Sequence, residues 1–355
     1  MDRKQCVRCL NNSTVRRMSL DDSGQCCYCT RYDRIRSQLE DRERLSELFR
    51  QRIEQVRGKY PYDAAVGISG GKDSMYVLYQ LVRVYGLKVR AFTMRNGFFS
   101  PQAQANTDRI VQELGVEHSY IDFDPSLLKR FFRYSMQHWL TPCIACSYIG
   151  YAAMINYTAK IGAGLCIHGR SPQQMLRYYG DDVFTGFVDA GLRPPQEVDV
   201  QALYQELLGL TETHLDKGIA EDVRGILFDG IKAEDFREFV PFFLYHPYEE
   251  SQIVQFLREN TSWSPAQDYD HYDCTIHHAA HYIYQCAEGR PHCLPEISVL
   301  VRSGKLSREE GLRLTEHARY HEKPAEALHT LCDTVGLREE PLFLKAWLYR
   351  HLVKK

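Results

Sequence analysis

The chain has 355 residues, 44% of them hydrophobic and 25% charged, with a formal net charge of −2. That composition suits one large core with a small appended unit. The near-neutral balance removes a whole-protein electrostatic case for nucleic acid, and no run of about 18 apolar residues exists, which excludes a membrane-spanning helix. The charge is uneven: residues 1–60 hold 14 Lys+Arg against 9 Asp+Glu, and residues 181–240 hold 5 against 14. A basic N-terminal arm would favour an anionic partner, although a solvated helix face explains the excess more simply. MDRKQCVRCL has no signal-type apolar core, so a cytoplasmic location is expected. Thiols stay reduced there, and the 12 cysteines then read as metal ligands, catalytic groups or core residues rather than disulfides.

Residues 1–30 carry Cys6-x2-Cys9 and, after sixteen residues, Cys26-Cys27-Tyr28-Cys29. With Cys26 and Cys29 as the second knuckle, the spacing C-x2-C-x16-C-x2-C reads as a tetrahedral Zn2+ site. Cys27 competes with Cys26, which the x2 spacing favours. So short a segment with few large apolar residues needs the metal's folding energy. Residues 31–58 read as a charged linker helix, with Ile35, Leu39, Leu45, Leu48, Phe49, Ile53 and Val56 near helical spacing. From 59 to 180 strands alternate with helices. YDAAVGI (62–68) is a buried strand, 73–85 a helix, KVRAFT (88–93) a strand, 102–114 a helix, 117–121 a strand, and GLCIH (164–168) a further strand after a helical stretch. This predicts an α/β fold with a doubly wound, Rossmann-like parallel sheet, which binds ligands at the carboxyl ends of its strands. Residues 181–240 read as an acidic helical insertion. Residues 241–355 read as a helical C-terminal region completing the active site, with Glu249 and Glu250 at a helix start near 250.

The first strand ends in GISGGKDSMY (67–76). A glycine-rich turn into a helix presents backbone N–H groups and a positive helix end to an anion. Gly70 and Gly71 permit close approach, Lys72 can pair with phosphate, and Ser69 and Ser74 can donate hydrogen bonds. The spacing is not that of a Walker A loop. TPCIACSY (141–148) adds Cys143 and Cys146, and YDHYDCTIHHAAHYIY adds Cys274. Two thiolates do not fill a metal site, and three would leave an open position. Two core thiols or a persulfide relay without a cluster are the other readings of the pair. His277 and His278 are ordinary candidates for metal or acid–base roles. Cys166 reads as core, and the spacing of Cys286 and Cys293 is uninformative.

SGGKDS resembles the PP-loop of the N-type ATP pyrophosphatases, of the adenine nucleotide alpha hydrolase type. The resemblance implies that Ser69, Gly70, Gly71, Lys72, Asp73 and Ser74 cradle the β- and γ-phosphates of ATP, with Lys72 and Asp73 catalytic. It also implies that backbone near Phe92–Met94 meets adenine. HGRSPQQM (168–175) falls where relatives carry a second nucleotide loop, which implies roles for Gly169 and Arg170. Many relatives have two aspartates where this chain has Gln173 and Gln174, so the Mg2+ ligands stay open. The cysteine layout resembles the cluster-dependent tRNA thiolation enzymes, which combine a zinc finger, a PP-loop, a C-x2-C and a later single cysteine. That implies an iron–sulfur cluster of the [4Fe-4S] type on Cys143, Cys146 and Cys274, three ligands rather than the usual four. The whole-chain pattern, including SVLVRSGKLSREEGLRL (298–314), resembles the N-acetyl sugar amidotransferases of lipopolysaccharide and nonulosonate synthesis, which take ammonia from a glutaminase partner.

These resemblances share an expected first step, adenylation of an acceptor's carbonyl oxygen with release of pyrophosphate. The thiols favour sulfur from a donor as the replacing atom, with ammonia as the alternative. A zinc-dependent binding or assembly protein with an inactive PP-loop is the reading of another class. The acceptor stays open among tRNA, a nucleoside and a nucleotide-sugar, and a homodimer is allowed for.

Overall fold

The computed structural model describes residues 4–15, 17–171, 174–175, 182–192, 221, 237–265 and 273–353. Five strands form one parallel sheet: β1 (Tyr62–Gly67), β2 (Val89–Arg95), β3 (Glu117–Asp122), β4 (Ala163–His168) and β5 (Glu238–Pro241). Their order is β3-β2-β1-β4-β5. Helices α1 (Cys27–Leu39) and α2 (Arg42–Val56) precede the sheet. Its connections carry α3 (Lys72–Tyr79), α4 (Pro101–Leu114), α5 (Pro125–Trp139), α6 (Cys143–Lys160) and α7 (Asp182–Asp189). The short α8 (Phe242–Tyr245) and α9 (Glu250–Asn260) follow, then α10 (His277–Glu288), α11 (Leu294–Arg302), α12 (Arg308–His317), α13 (Ala325–Val335) and α14 (Glu339–Leu348).

Strand side chains alternate between faces, so one sheet supplies two cores. Ala64, Val66, Ala91, Leu165, Ile167 and Val240 pack against α2, α3, α4, α8 and α9. Ala65, Phe92, Cys166 and Phe239 pack against α5, α6, α10, α13 and α14. Helices α10, α13 and α14 therefore share a core with the sheet. Cys166 is buried in that core.

Three expectations are corrected. The single linker helix is two, because Asp41 accepts a hydrogen bond from the Arg44 N–H and caps a new helix start. The helix expected over 73–85 ends at Tyr79 and continues as a wider turn over Gln80–Val84, closed by Tyr85 N–H to the Gln80 carbonyl at 2.9 Å. The tail of the expected insertion, EFVP, is the edge strand β5, too short and too close to Pro241 to carry a strand period. Of the remainder of 181–240, only residues 182–192, 221 and 237 are described, so most of the expected acidic helical insertion lies outside the described residues.

The N-terminal unit docks on the α11–α12 pair. Leu10 packs with Leu294, Ile297 and Val301, Arg8 donates to the Arg302 carbonyl at 2.8 Å, and Arg308 donates to the Cys9 carbonyl. The segment 298–314 thus has a structural task, to receive this unit. Gly311 lets α12 approach closely: a Cβ there would sit 2.6 Å from Val301 and 2.9 Å from Leu10. Gly311→Val is expected to destabilise the fold by about 1–3 kcal/mol through overpacking, read as a lower midpoint in thermal or denaturant unfolding.

Candidate active site

The strand order reverses between β1 and β4, and a crevice opens there at their carboxyl ends, the place such sheets bind ligands. Beyond Gly67 the chain turns through Ile68–Gly71 and enters α3 at Lys72, with Gly71 at the N-cap and no side chain capping it. Its first N–H groups are left for an anion. Gly70 has φ 72°, and a Cβ there would lie 2.1 Å from the Ala103 carbonyl oxygen of α4, so only glycine fits. The Gly70 carbonyl accepts from Asn106 Nδ2 at 3.2 Å and Trp263 Nε1 at 3.0 Å. Ser74 Oγ accepts from the Ser69 N–H and donates to the Gly71 carbonyl, both at 3.1 Å. The loop is held in shape before any ligand arrives.

Lys72 Nζ lies 3.3 Å from Glu250 and 3.9 Å from Asp73. Asp73 accepts from the Tyr248 hydroxyl at 3.1 Å. Burial pushes the Asp73 carboxyl up to about 6, against the opposing pull of Lys72 and the Tyr248 bond. A carboxylate in such a place gains from a cation in front of it. After β4, Gly169 brings the chain against α3, where a Cβ would stand 3.0 Å from the Asp73 carbonyl oxygen. Arg170 donates to the Tyr151 hydroxyl and lies 4.6 Å from the centre of its ring. Buried His168 accepts from the Arg170 N–H through Nδ1 at 3.1 Å. Burial and then Arg170 hold its imidazole neutral.

One cleft of about 340 Å³ joins these groups to the thiols. Ser69, Gly71, Lys72, Asp73, Ser74, Met94, Gly169 and Arg170 line it, together with Cys143, Cys146 and Cys274. Gly70 lies behind the loop, packed on α4. Gln174 also lines the cleft, and Gln173 lies outside the described residues. Cys143 and Cys146 occupy the first turn of α6. Thr141 Oγ1 accepts from the Cys143 N–H at 3.2 Å and Ser135 Oγ from the Ala145 N–H at 3.3 Å, so the cap comes from residues before the helix. Cys274 is pinned by the segment after β2: it bridges Phe99, and the Thr275 N–H bonds the Phe98 carbonyl at 2.9 Å.

Asn96 Nδ2 lies 3.1 Å from Cys146 Sγ. Burial pushes Cys146 up to about 11, against that bond. Cys274 is pushed up by burial first, then by the charges of Asp273, Cys146 and Cys143. Thiols and a carboxylate this close in a buried cleft oppose one another's ionisation, and a positive group among them would relieve the conflict. Their sulfurs do not all lie within 4.8 Å of one another, which a single ion would require. Three thiols lining one cleft are the donor type that an iron–sulfur cluster takes.

The N-terminal cysteines are built differently. Sγ atoms of Cys6, Cys9, Cys26 and Cys29 all fall within 4.8 Å of one another and are buried. Neighbouring sulfurs lie 3.6 to 3.9 Å apart, close to the ~3.8 Å edge of a tetrahedron with metal–sulfur bonds of about 2.3 Å. Hydrogen bonds with Cys26 and Cys29 hold Cys9 low, while those with Cys26 and Cys9 push Cys29 up. Cys27 turns away, its Sγ 3.5 Å from the Arg17 carbonyl. Cys26 is therefore the member of this group. Among the described residues no second group of this kind exists, so Cys286 and Cys293 do not form one.

Several site residues escape a reading of the sequence. Asp273 lines the cleft, takes a hydrogen bond from the Ser69 side chain and feels Lys72. Asn96, Asn106, Tyr248, Glu250 and Trp263 act through contacts between distant parts of the chain and carry no spacing signal.

No family model and no curated protein matches the chain. Solved structures do. One is the U34-tRNA thiolase NcsA from Methanococcus maripaludis with its 4Fe–4S cluster, at 15% identity, covering 96% of this chain and 100% of that one, with a TM-score of 0.36. Another is the NH3-dependent NAD synthetase from Campylobacter jejuni, at 17% identity, 54% and 97% coverage and a TM-score of 0.30. A third is NMN synthetase from Francisella tularensis, at 16% identity, 53% and 94% coverage and a TM-score of 0.29. Scores and identities this low do not assign a reaction. No described helix is long and apolar enough to cross a membrane.

Proposed function

We propose that the protein is an ATP pyrophosphatase that adenylates the carbonyl oxygen of an acceptor and replaces it with sulfur. The observation that carries this reading is the shared cleft: Cys143, Cys146 and Cys274 open onto the space in front of Ser69–Ser74. A reaction that brings sulfur to an activated carbon uses both ends of it.

The Ser69–Ser74 amides and Lys72 hold the β- and γ-phosphates at the positive end of α3. Met94 and Phe92 offer an apolar wall for adenine, and Arg170 stands on the β4 side for the α-phosphate. Asp73 and Asp273 are the cleft's carboxylates for Mg2+ on the phosphates. The acceptor oxygen attacks the α-phosphorus, and Lys72 with the loop amides stabilises the charge of the departing pyrophosphate. The oxygen has then become part of a phosphate and leaves as AMP when sulfur attacks the carbon from the cysteine side. A 4Fe–4S cluster on the three cysteines would supply, when bound, an iron free to carry sulfide.

The four N-terminal cysteines hold Zn2+ in this reading, and the metal folds the unit that packs on α11 and α12. Cys9→Ser is expected to lose zinc, measured by metal analysis, and to melt at a lower temperature. Retention of the full zinc content would contradict that assignment.

The function is tested by anaerobic purification followed by assay with ATP, Mg2+ and either tRNA or UDP-N-acetylglucosamine, each with sulfide or with ammonium. The expected result is a brown protein that releases AMP and pyrophosphate together and yields a sulfur-containing product. A colourless protein whose product contains nitrogen would instead place it with ammonia-dependent amidotransferases. Release of neither AMP nor pyrophosphate would leave a binding protein.

A further inference from the structure

The turn between α11 and α12 meets two sites at once. On one side it receives the four-cysteine unit. Arg8 donates to the carbonyl of Arg302, the last residue of α11, at 2.8 Å. Leu306 and Val15 pack against the cluster of Leu10, Leu294, Ile297 and Val301. Arg308, the first residue of α12, donates to the carbonyl of Cys9, one of the four cysteines. The turn is closed by its own backbone, with the Gly304 N–H on the Val301 carbonyl at 3.1 Å and the Lys305 N–H on the Leu300 carbonyl at 2.9 Å. On the other side, Lys305 reaches the segment before α9. Its Nζ donates to the Tyr248 carbonyl at 3.3 Å and pairs with Glu249.

The residues on either side of Glu249 hold the nucleotide loop. The Tyr248 hydroxyl donates to Asp73 at 3.1 Å and takes a hydrogen bond from the Ser171 side chain, in the loop after β4. Glu250, the first residue of α9, lies 3.3 Å from Lys72 Nζ. Lys305 therefore grips the segment whose side chains touch both Asp73 and Lys72. Small metal-held units fold with their metal and unfold without it. The four-cysteine unit is then a two-state element, and only its folded state offers the turn Leu10, the Arg8 donor and the Cys9 carbonyl. Contacts that exist in one state and not in the other are what coupling between two sites requires.

We propose that Lys305 is a positioning residue for the nucleotide site, and that metal binding by the four-cysteine unit strengthens the binding of Mg2+–ATP through it. This rests on the zinc and nucleotide readings above. With the unit docked, Lys305 keeps Tyr248 in place, and the Tyr248 hydroxyl fixes the Asp73 carboxylate at the wall of the cleft. Without the unit, the turn loses its partners, Lys305 loses its fixed place, and Asp73 loses its orienting bond. The Glu250–Lys72 pair loosens as well, but the Glu250 side chain is 54% exposed, so solvent screens it and its release counts for less. By linkage, the nucleotide strengthens metal binding by the same factor.

The test is a binding cycle. Wild type, Cys9→Ser, Lys305→Ala and the double variant are titrated calorimetrically with α,β-methylene ATP and Mg2+, a nucleotide that cannot release pyrophosphate. Each single variant is expected to bind about two- to fivefold more weakly, the scale of one exposed ion pair. The double variant should bind no more weakly than Cys9→Ser. Lys305→Arg, which keeps the charge and the reach, should restore binding. A second measurement follows the transfer of zinc to a coloured chelator. The nucleotide is expected to slow transfer from wild type and not from Lys305→Ala. This measurement needs no metal-free protein, so it decides the matter even where Cys9→Ser does not fold. Equal affinities in wild type and Cys9→Ser, losses that add in the double variant, or zinc transfer that the nucleotide does not slow would each overturn the coupling while leaving the two sites standing. Wild type that binds no nucleotide, or holds no zinc, overturns the reading of that site and the coupling with it.

Discussion

Cys274→Ala is expected to abolish product formation while leaving ATP affinity within about twofold of wild type. Cys274 lines the cleft beside Cys143 and Cys146 but makes no bond to the loop that would hold the phosphates. Its removal deletes one of three thiols and leaves Gly70, Lys72 and Asp73 where they are. The backbone bridge to Phe99 does not need the side chain, and alanine suits a residue before a helix start. A loss of at least about 1,000-fold is expected, the scale seen when a group central to the chemistry is removed. Cys143→Ala and Cys146→Ala should match it, since groups that act as a unit give non-additive losses. Unimpaired turnover in all three would end the sulfur reading and return the choice to ammonia. The measurement is product formation beside ATP binding, because a fall in both would mean only a damaged cleft.

Gly70→Val is expected to have the second large effect, this time on the nucleotide. At φ 72° a branched residue is strained, at a cost of about 1–3 kcal/mol, and its Cβ would collide with the α4 backbone at Ala103. The loop would move away from Asn106 and Trp263, which hold it through the Gly70 carbonyl. ATP binding should fall below detection in isothermal titration even if the variant stays folded by circular dichroism. Lys72→Ala separates the parts: the loop keeps its shape, ATP still binds, and pyrophosphate release drops about 100- to 1,000-fold through loss of charge stabilisation. ATP binding by Gly70→Val at wild-type strength would contradict the role given to the loop.

Where local chemistry dictates structure, the sequence was informative. Ser69–Ser74 could be placed at a strand end and a helix start because glycines, a following helix and a preceding apolar run are all local. The Cys6, Cys9, Cys26 and Cys29 set was legible from spacing, although the choice of Cys26 over Cys27 needed the fold, where Cys27 turns to the Arg17 carbonyl. Strand β5 was not legible, because four residues ending at a proline carry no period and gain their pairing only from β4. Cys274 could be suspected as a partner of Cys143 and Cys146, but its position depends on Phe98 and Phe99, far away in the chain. Asp273 and Trp263 were invisible for the same reason. Lastly, the 298–314 segment looked like a family signature and is, physically, the seat of the four-cysteine N-terminal unit.

The central claim is that the acceptor's own oxygen is activated as an adenylate. It is tested most directly by supplying an acceptor whose carbonyl carries a heavy-oxygen label, with ATP, Mg2+ and sulfide, and weighing the AMP released by mass spectrometry. The expected result is AMP bearing the label in its phosphate, in equal amount to the new product. Unlabelled AMP formed alongside product would mean that water or another group took the adenylyl transfer, and would contradict the account.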